Sequence, residues 1–401
     1  MSTTTKILLV GIGGYGNLYL KKLFEEESNT TFELAAVIDP MGSAAPGWPT
    51  IQDKQIPAFD SIESFLEAEL SIDLAVISSP ISFHADQSCA LLDAGIHVLC
   101  EKPIAATMEE AQRMHQASVE SGKFLEIGYQ WSFSPVIQAL KQDIINGRLG
   151  KPLSLKTRIA WPRGSAYYNR NNWAGAIHTP QGKPVYDSPV NNATAHFLHN
   201  MLYILGPEIG QSASPTRVTA ELYRVNPIEN YDTACCRIET KDGPTIYFYT
   251  SHAVSENDGP VFSYEFEQAE VTYSNGGDIV AHFSDGTQHN YGDPQADDMR
   301  KLHACIERCQ SGSDQSICDV VAASAHTRCV GALQQCSVQT IEPGLFAKKQ
   351  LGEQDTLTYL PEMQEALIEA MEAQKLFSEM NYSWAQTSAQ SIDLKDSESL
   401  K

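Results

Sequence analysis

The sequence predicts an α/β protein in two parts: an N-terminal doubly wound parallel sheet, then an α/β domain with a large open, mainly antiparallel sheet. Three observations predict it. Short unbroken apolar runs alternate with helical stretches over the first third of the chain. The glycine-rich turn "GIGGYG" follows the first of those runs directly. After "GYQWSFSP" the texture changes, and strand-like segments succeed one another with turn signals such as "KDG", "NGG" and "SDG" between them.

The runs "KILLVGI", "LAAVID", "LAVISS", "HVLCE" and "FLEIG" lack polar alternation, as suits parallel strands covered on both faces. The stretches "NLYLKKLFEEE", "SIESFLEAE", "HADQSCALLDAG" and "TMEEAQRMHQASVESG" between them read as helices, and two end in a glycine suited to a C-cap. Strand–helix alternation of this kind builds a doubly wound domain, here residues 1–126. The second domain, residues 127–350, opens with helical "VIQALKQDIINGRLG", strand "LSLKTRIAW" and an aromatic, asparagine-rich loop from about Trp161 to Val190. The stretch "NNATAHFLHNM" reads as a helix running on to "YILG", with Asn192 and His196 four apart on one face. Strand-like segments cover Val218 to Tyr291, and helices at about Asp297–Gln310 and Asp319–Cys336 are expected to close the second domain. Residues 351–401 are expected to form an amphipathic helix, "LPEMQEALIEAMEAQKLF", and a polar tail whose last fifteen or so residues have the composition of disorder.

Several function classes are excluded by bulk properties. The 401 residues exceed one typical core, and 42% hydrophobic with 19% charged residues is ordinary for a globular protein. A formal net charge of -22 argues against nucleic acid or an anionic membrane as partner, since both reward clustered Lys and Arg. No run approaches the ~18 apolar residues of a membrane span. The N-terminal "ILLV" stops well short of a signal-peptide core of roughly 7–15 residues, so a cytoplasmic protein is expected. None of the nine cysteines has C-x-x-C spacing, and all are expected as reduced thiols in a cytoplasmic setting.

Gly11, Gly13 and Gly16 follow the G-x-G-x-x-G pattern, with Tyr15 inside it, between a predicted strand and a predicted helix. Such a turn lets a pyrophosphate approach the free N–H groups of a helix N-terminus. Asp39 ends the second strand in "VIDP", where a carboxylate holds ribose hydroxyls and repels a 2′-phosphate. The next basic residue is Lys54, so NAD is expected rather than NADP. In "HVLCEKPIAATMEEA" a Glu-Lys-Pro ends a buried strand, at the sheet edge where doubly wound folds bind ligands. The loop "WPRGSAYYNRNNWAGAIHTPQGKPVYDSP" supplies Tyr168, Arg170, Trp173 and Asp187, aromatic faces beside charges that suit a sugar. A metal reading of His196, His199 and Asp187 lacks a third ligand at helical spacing, and no metal is expected.

"GIGGYG", "VIDP", "SSPISFHADQSCALLDAGIHVLCEKPIAATMEEA" and "EIGYQ" together resemble the Gfo/Idh/MocA family of nicotinamide-dependent oxidoreductases, in order and spacing over roughly residues 5 to 345. The resemblance implies a Rossmann domain followed by an α/β domain whose open sheet often forms a homo-oligomer interface. It also implies hydride transfer between nicotinamide and a hydroxyl of a sugar or polyol. Lys102 matches the family's catalytic lysine, Glu101 its ribose-binding acid, and Ser79, Pro80 and His84 the loop under the cofactor. His196 matches the histidine of an Asp-x-x-x-His pair, whose aspartate is Asn192 here. His199 stands where relatives commonly carry an acid. An amide cannot exchange a proton at neutral pH, so Asn192 leaves proton transfer to His196 and Lys102. It also leaves room for a redox-neutral variant, in which a sugar is oxidised transiently for elimination, epimerisation or glycoside cleavage. A non-catalytic NAD- or sugar-sensing protein is the remaining alternative.

Overall fold

The computed structural model describes residues 4–26, 28–241, 243–386, 388–395 and 400. The chain divides into two compact units, Met1–Ser134 with Asp297–Ala323, and Pro135–Ala296 with Ser324–Lys401.

The first unit is built on a six-stranded sheet of β1 (Thr5–Val10), β2 (Phe32–Ile38), β3 (Ala58–Phe59), β4 (Leu74–Ile77), β5 (His97–Cys100) and β6 (Leu125–Ile127), in the order β3-β2-β1-β4-β5-β6. Every pair is parallel. Ile7, Leu8, Leu9 and all of β4 are sealed on both faces, which is why these runs carry no alternation. Chain order reverses between β1 and β4, so the crevice beyond their carboxyl ends is the ligand-binding position of a doubly wound fold. The helix Met108–Ser121 starts on a capping box, with Thr107 Oγ1 accepting from Glu110 N and the Glu110 carboxylate accepting from Thr107 N. It stops at left-handed Gly122.

One expected assignment changes. The helix Arg300–Ser311 belongs to this first unit and does not close the second. Its apolar stripe of Leu302, Cys305 and Ile306 is buried in one cluster with Ile7, Leu9, Tyr19, Leu74 and Leu99. Helical periodicity shows that a helix has a core face, not which sheet that face meets.

The second unit is a ten-stranded mixed sheet: β7 (Pro152–Ala160), β8 (Pro215–Arg224), β9 (Thr233–Thr240), β10 (Thr245–Ser251), β11 (Asp258–Phe266), β12 (Ala269–Ser274), β13 (Ile279–Phe283), β14 (Gln288–Gly292) and β15 (Val338–Thr340), ordered β14-β13-β12-β11-β7-β10-β9-β8-β15, with one further strand on β8. The β7–β10 and β8–β15 pairs are parallel and the others antiparallel. The helix Ala195–Ile204 lies against β7, where Thr157 Oγ1 meets Met201 Sδ at 3.2 Å. The opposite face is covered by the chain's own C-terminal segment. Period two along β9 separates adjacent cysteines: Cys235 packs with Phe377 and Trp384 of that segment, while the Cys236 thiol is raised by burial beside Cys336 and Cys329.

The segment after residue 340 holds a hairpin of β16 (Ala347–Gly352) and β17 (Asp355–Tyr359), a helix Met363–Ala373, and a last strand β18 (Gln390–Asp393). β18 pairs antiparallel with β8, so the tail expected to be disordered supplies a sheet strand at these four residues. Residues 387, 396–399 and 401 of that tail lie outside the described residues. All nine cysteines are free thiols. Among the described residues no helix is long and apolar enough to cross a membrane.

Candidate active site

At the carboxyl end of β1 the chain turns through the glycine loop into the helix Gly16–Glu25. Gly11 has φ +81°, and a Cβ there would sit 2.9 Å from the Ser78 and Ser79 backbone. A Cβ on Gly16 would lie 1.9 Å from the Gly11 carbonyl oxygen, so no other residue fits. Above Gly13 and Gly14 there is open space. The N–H groups of Gly13, Gly14 and Tyr15 have no acceptor among the described residues. Donors facing open space at a helix N-terminus are the complement of a diphosphate. Asp39 is placed by β2 beside this loop, with Oδ2 accepting from Ile12 N at 2.9 Å and Oδ1 from Met41 N at 2.8 Å. These residues fit a dinucleotide.

The turn after β5 carries Glu101 and Lys102, followed by a cis peptide bond to Pro103. His84, 1% exposed, ties this turn to the one after β4: Nδ1 lies 2.9 Å from the Pro103 carbonyl and Nε2 2.9 Å from the Ser79 carbonyl. Burial lowers its pKa, against the pull of those carbonyls. Pro80 caps the short turn Ile81–Phe83 that leads into the His84 helix, and Ser79 Oγ donates to Gln87 at 2.5 Å. His84 therefore stands as a brace between the two loops.

Glu101 has an unforeseen partner. Lys301, fully buried, makes an ion pair with Glu101 Oε1 and lies 3.3 Å from the Tyr15 hydroxyl. Tyr19 donates to the same carboxylate at 2.6 Å. Burial, the largest single influence, depresses the Lys301 ammonium, but the charges of and hydrogen bonds to Glu101 and Tyr15 together outweigh it and the net shift is upward. Burial raises the Tyr15 phenol. The carboxylate expected to bind ribose is thus tied into a buried network. Lys301 shares a helix face with Cys305, and a lysine on an apolar stripe was the available signal.

In the second unit the loop after β7 brings Tyr167, Tyr168, Arg170, Trp173 and Asp187 together. Arg170 Cζ lies 3.7 Å from the Tyr167 ring centroid and 5.4 Å from that of Trp173. Its Nη2 is 3.8 Å from Asp187. Asp187, 2% exposed, accepts from Gly175 N at 2.6 Å and from Asn192 Nδ2 at 2.7 Å. This explains the amide at 192: an aspartate there would set two carboxylates in contact. Asn192 is not on the helix, however. It lies in the turns before it, its N–H donating to the Ser188 carbonyl, and the helix begins at Ala195. His252 was not foreseen. It follows β10, is 2% exposed, and stands with its ring 5.8 Å from that of Tyr167. Burial, then Arg163 and Arg170, lowers its pKa to about 3.

The two helix histidines part company. His196, half-buried in the first turn, sits beside Phe197. His199 is 1% exposed, stacks on Tyr203, and is held neutral by burial, His326 and Lys141. Its surroundings are those of a core histidine. Among the described residues no three His, Cys, Asp or Glu side chains gather as a metal would require.

Residues 5–129 match the model of an oxidoreductase family with an NAD-binding Rossmann fold. Residues 137–291 match that of the GFO/IDH/MocA C-terminal domain. The chain is 29% identical over 159 residues to the rhizopine catabolism protein MocA of Rhizobium meliloti, covering 40% of this chain and 48% of that one. It is 31% identical over 203 residues to an inositol 2-dehydrogenase of Salmonella typhimurium, covering 50% and 56%. Each match spans about half the length of the relative. The WlbA dehydrogenase of Bordetella pertussis, solved with NADH and UDP-GlcNAcA, shares the fold with a TM-score of 0.66 at 19% identity over 83% of this chain and 96% of that one. Glycine loop, Glu-Lys-Pro turn and open-sheet unit thus meet both family models in order, and the chain belongs to the Gfo/Idh/MocA oxidoreductase family.

Proposed function

We propose that the chain is an NAD-dependent dehydrogenase moving hydride between a secondary alcohol of a carbohydrate or polyol and nicotinamide. The observation that carries this is the loop Gly11–Gly16, with three backbone donors that have no acceptor among the described residues, open space above Gly13 and Gly14, and Asp39 beside them, on the sheet edge that also presents Lys102. Bound NAD supplies the hydride acceptor. The Gly13–Tyr15 amides hold its diphosphate, and Asp39 accepts from ribose hydroxyls while repelling the 2′-phosphate of NADP. Lys102 polarises the substrate hydroxyl and takes its proton, and His196 serves as the second acid–base group. Asn192, its Nδ2 held by Asp187, orients by hydrogen bonding without exchanging a proton. The relatives named for inositol dehydrogenation and rhizopine catabolism support a polyol or sugar substrate.

The test is to incubate the chain with NAD and a panel of sugars, polyols and glycosides, following NADH absorbance and product masses together. NADH formed with a product two mass units lighter is expected. Products formed with no net NADH would replace this reading by a redox-neutral one. No turnover in either direction across the panel would refute it.

A further inference from the structure

We propose that the substrate carries an acidic group and that Arg163 binds it, an inference that rests on the dehydrogenase reading and names its substrate class.

In a chain of net charge -22, the loop after β7 sets two guanidinium groups on one ring: Arg170 Cζ is 3.7 Å and Arg163 Cζ 4.9 Å from the Tyr167 centroid. They are employed differently. Arg170 faces Asp187 at 3.8 Å and donates to the Tyr167 carbonyl at 2.7 Å. Arg163 has no carboxylate partner among the described residues. Nη1 reaches the neighbouring Pro162 carbonyl at 3.5 Å, the side chain meets the Tyr167 hydroxyl, and Nε is buried with no partner. A half-buried guanidinium without a counter-charge is a costly arrangement unless a ligand supplies the charge.

The two carboxylates whose charges act on the Tyr168 phenol, Asp187 and Asp232, are committed elsewhere. Asp187 is engaged by Gly175, Asn192 and Arg170. Asp232 accepts from Val225 N at 3.0 Å and from both nitrogens of Asn226 at 2.8 Å. Two other buried polar atoms around Tyr167 lack partners among the described residues: His252 Nε2 and the Tyr168 hydroxyl. His252 Nδ1 donates to the Trp161 carbonyl at 2.8 Å, so in the neutral ring Nε2 carries the lone pair and accepts. The complement of these atoms is an anion for Arg163 with hydroxyls for His252 and Tyr168, which is a hydroxylated acid.

The group is also held in place. Arg163 N donates to the His252 carbonyl at 3.2 Å. At Gly164 a Cβ would meet Asp355 Oδ1 at 2.1 Å, and the same oxygen accepts from Ala166 N at 2.9 Å. An arginine on a braced loop gains more from its anion than one that must first be ordered.

The acidic group can be a carboxylate or a phosphate ester, and the experiment separates them. The full chain with NAD is given matched sets of a neutral sugar, its uronic or aldonic acid and its phosphate ester. Calorimetry without NAD measures binding of the same compounds. An acid or a phosphate ester is expected to show at least about tenfold higher kcat/KM than its neutral parent. Arg163→Gln should raise KM for that compound about 10- to 100-fold with little change in kcat, and Arg163→Lys should restore part of the loss. Preference for the phosphate ester assigns the anion as phosphate; preference for the acid assigns a carboxylate. Equal turnover of neutral and charged members, or discrimination unchanged in Arg163→Gln, would overturn this proposal while leaving the dehydrogenase reading intact. Calorimetric binding that Arg163→Gln abolishes, with no NADH from any compound, would overturn the dehydrogenase reading alone.

Discussion

Asn192 donates to Asp187 at 2.7 Å, and that single contact determines what a carboxylate at position 192 would do. Family resemblance alone suggests that Asn192→Asp would restore an acid. The structure predicts the opposite: two carboxylates in contact, one of them forced to take a proton. Asn192→Asp is expected to lower kcat about tenfold or more, and the exchange Asp187→Asn with Asn192→Asp to recover part of it; steady-state kinetics of the three variants check this. Lys102→Met is expected to cost roughly 10²- to 10⁴-fold in kcat while NAD affinity, measured by fluorescence titration, stays unchanged. His252 gives a pH prediction. Its folded pKa is lowered to about 3, whereas a free imidazole titrates near ~6.5. Between those values the unfolded chain takes a proton that the folded chain refuses. Its contribution is therefore full above ~6.5 and falls with acid by at most about 1.4 kcal/mol per pH unit. Urea unfolding at pH 7 and pH 5 should show a smaller acid loss in His252→Gln than in the parent.

Elements explain why some residues were legible in the sequence and others were not. Gly11, Gly16, Asp39 and Lys102 stand where a strand, a turn and a helix follow one another, so local spacing was enough to place them at the carboxyl edge of the first sheet. Lys301 and His252 reach their partners through contacts far apart in the chain, which no local pattern encodes. Lys301 lies on a helix that returns to the first sheet after strands β7 to β14 of the second sheet have been built. Removing the ammonium leaves the buried Glu101 without its counter-charge, so Lys301→Met is expected to cost about 3–5 kcal/mol in urea unfolding, and adding Glu101→Gln to recover much of it. The β16–β17 hairpin acts on the loop after β7 in the same long-range way. Asp355 Oδ1 caps Ala166 N, and Thr356 N donates to Ser165 Oγ at 3.0 Å. Asp355→Ala should therefore raise KM for the sugar severalfold and leave KM for NAD unchanged.

At the scale of the molecule, fold class was readable because unbroken apolar runs and a turn-rich series of strands are properties of neighbouring residues. The role of the last sixty residues was not readable, since an amphipathic helix announces an apolar face without naming its cover. In the structure that cover is the face of the second sheet opposite the helix Ala195–Ile204. Met363, Leu367, Met371, Leu376, Phe377 and Trp384 are buried in one cluster with Tyr223, Cys235 and Tyr249 from three of its strands. Six large side chains at about 1.5–3 kcal/mol each contribute roughly 10 kcal/mol or more, comparable to the whole stability of an ordinary domain. The face over β8, β9 and β10 is thus closed by the chain itself. Ending the chain at Leu360 should leave Tyr223, Cys235 and Tyr249 in water and the second unit unable to hold its fold. Sedimentation and circular dichroism of the truncated chain are expected to show aggregation and lost sheet signal. A soluble, folded truncation of unchanged stability would show instead that the segment is an appendage and that the face is free for a partner.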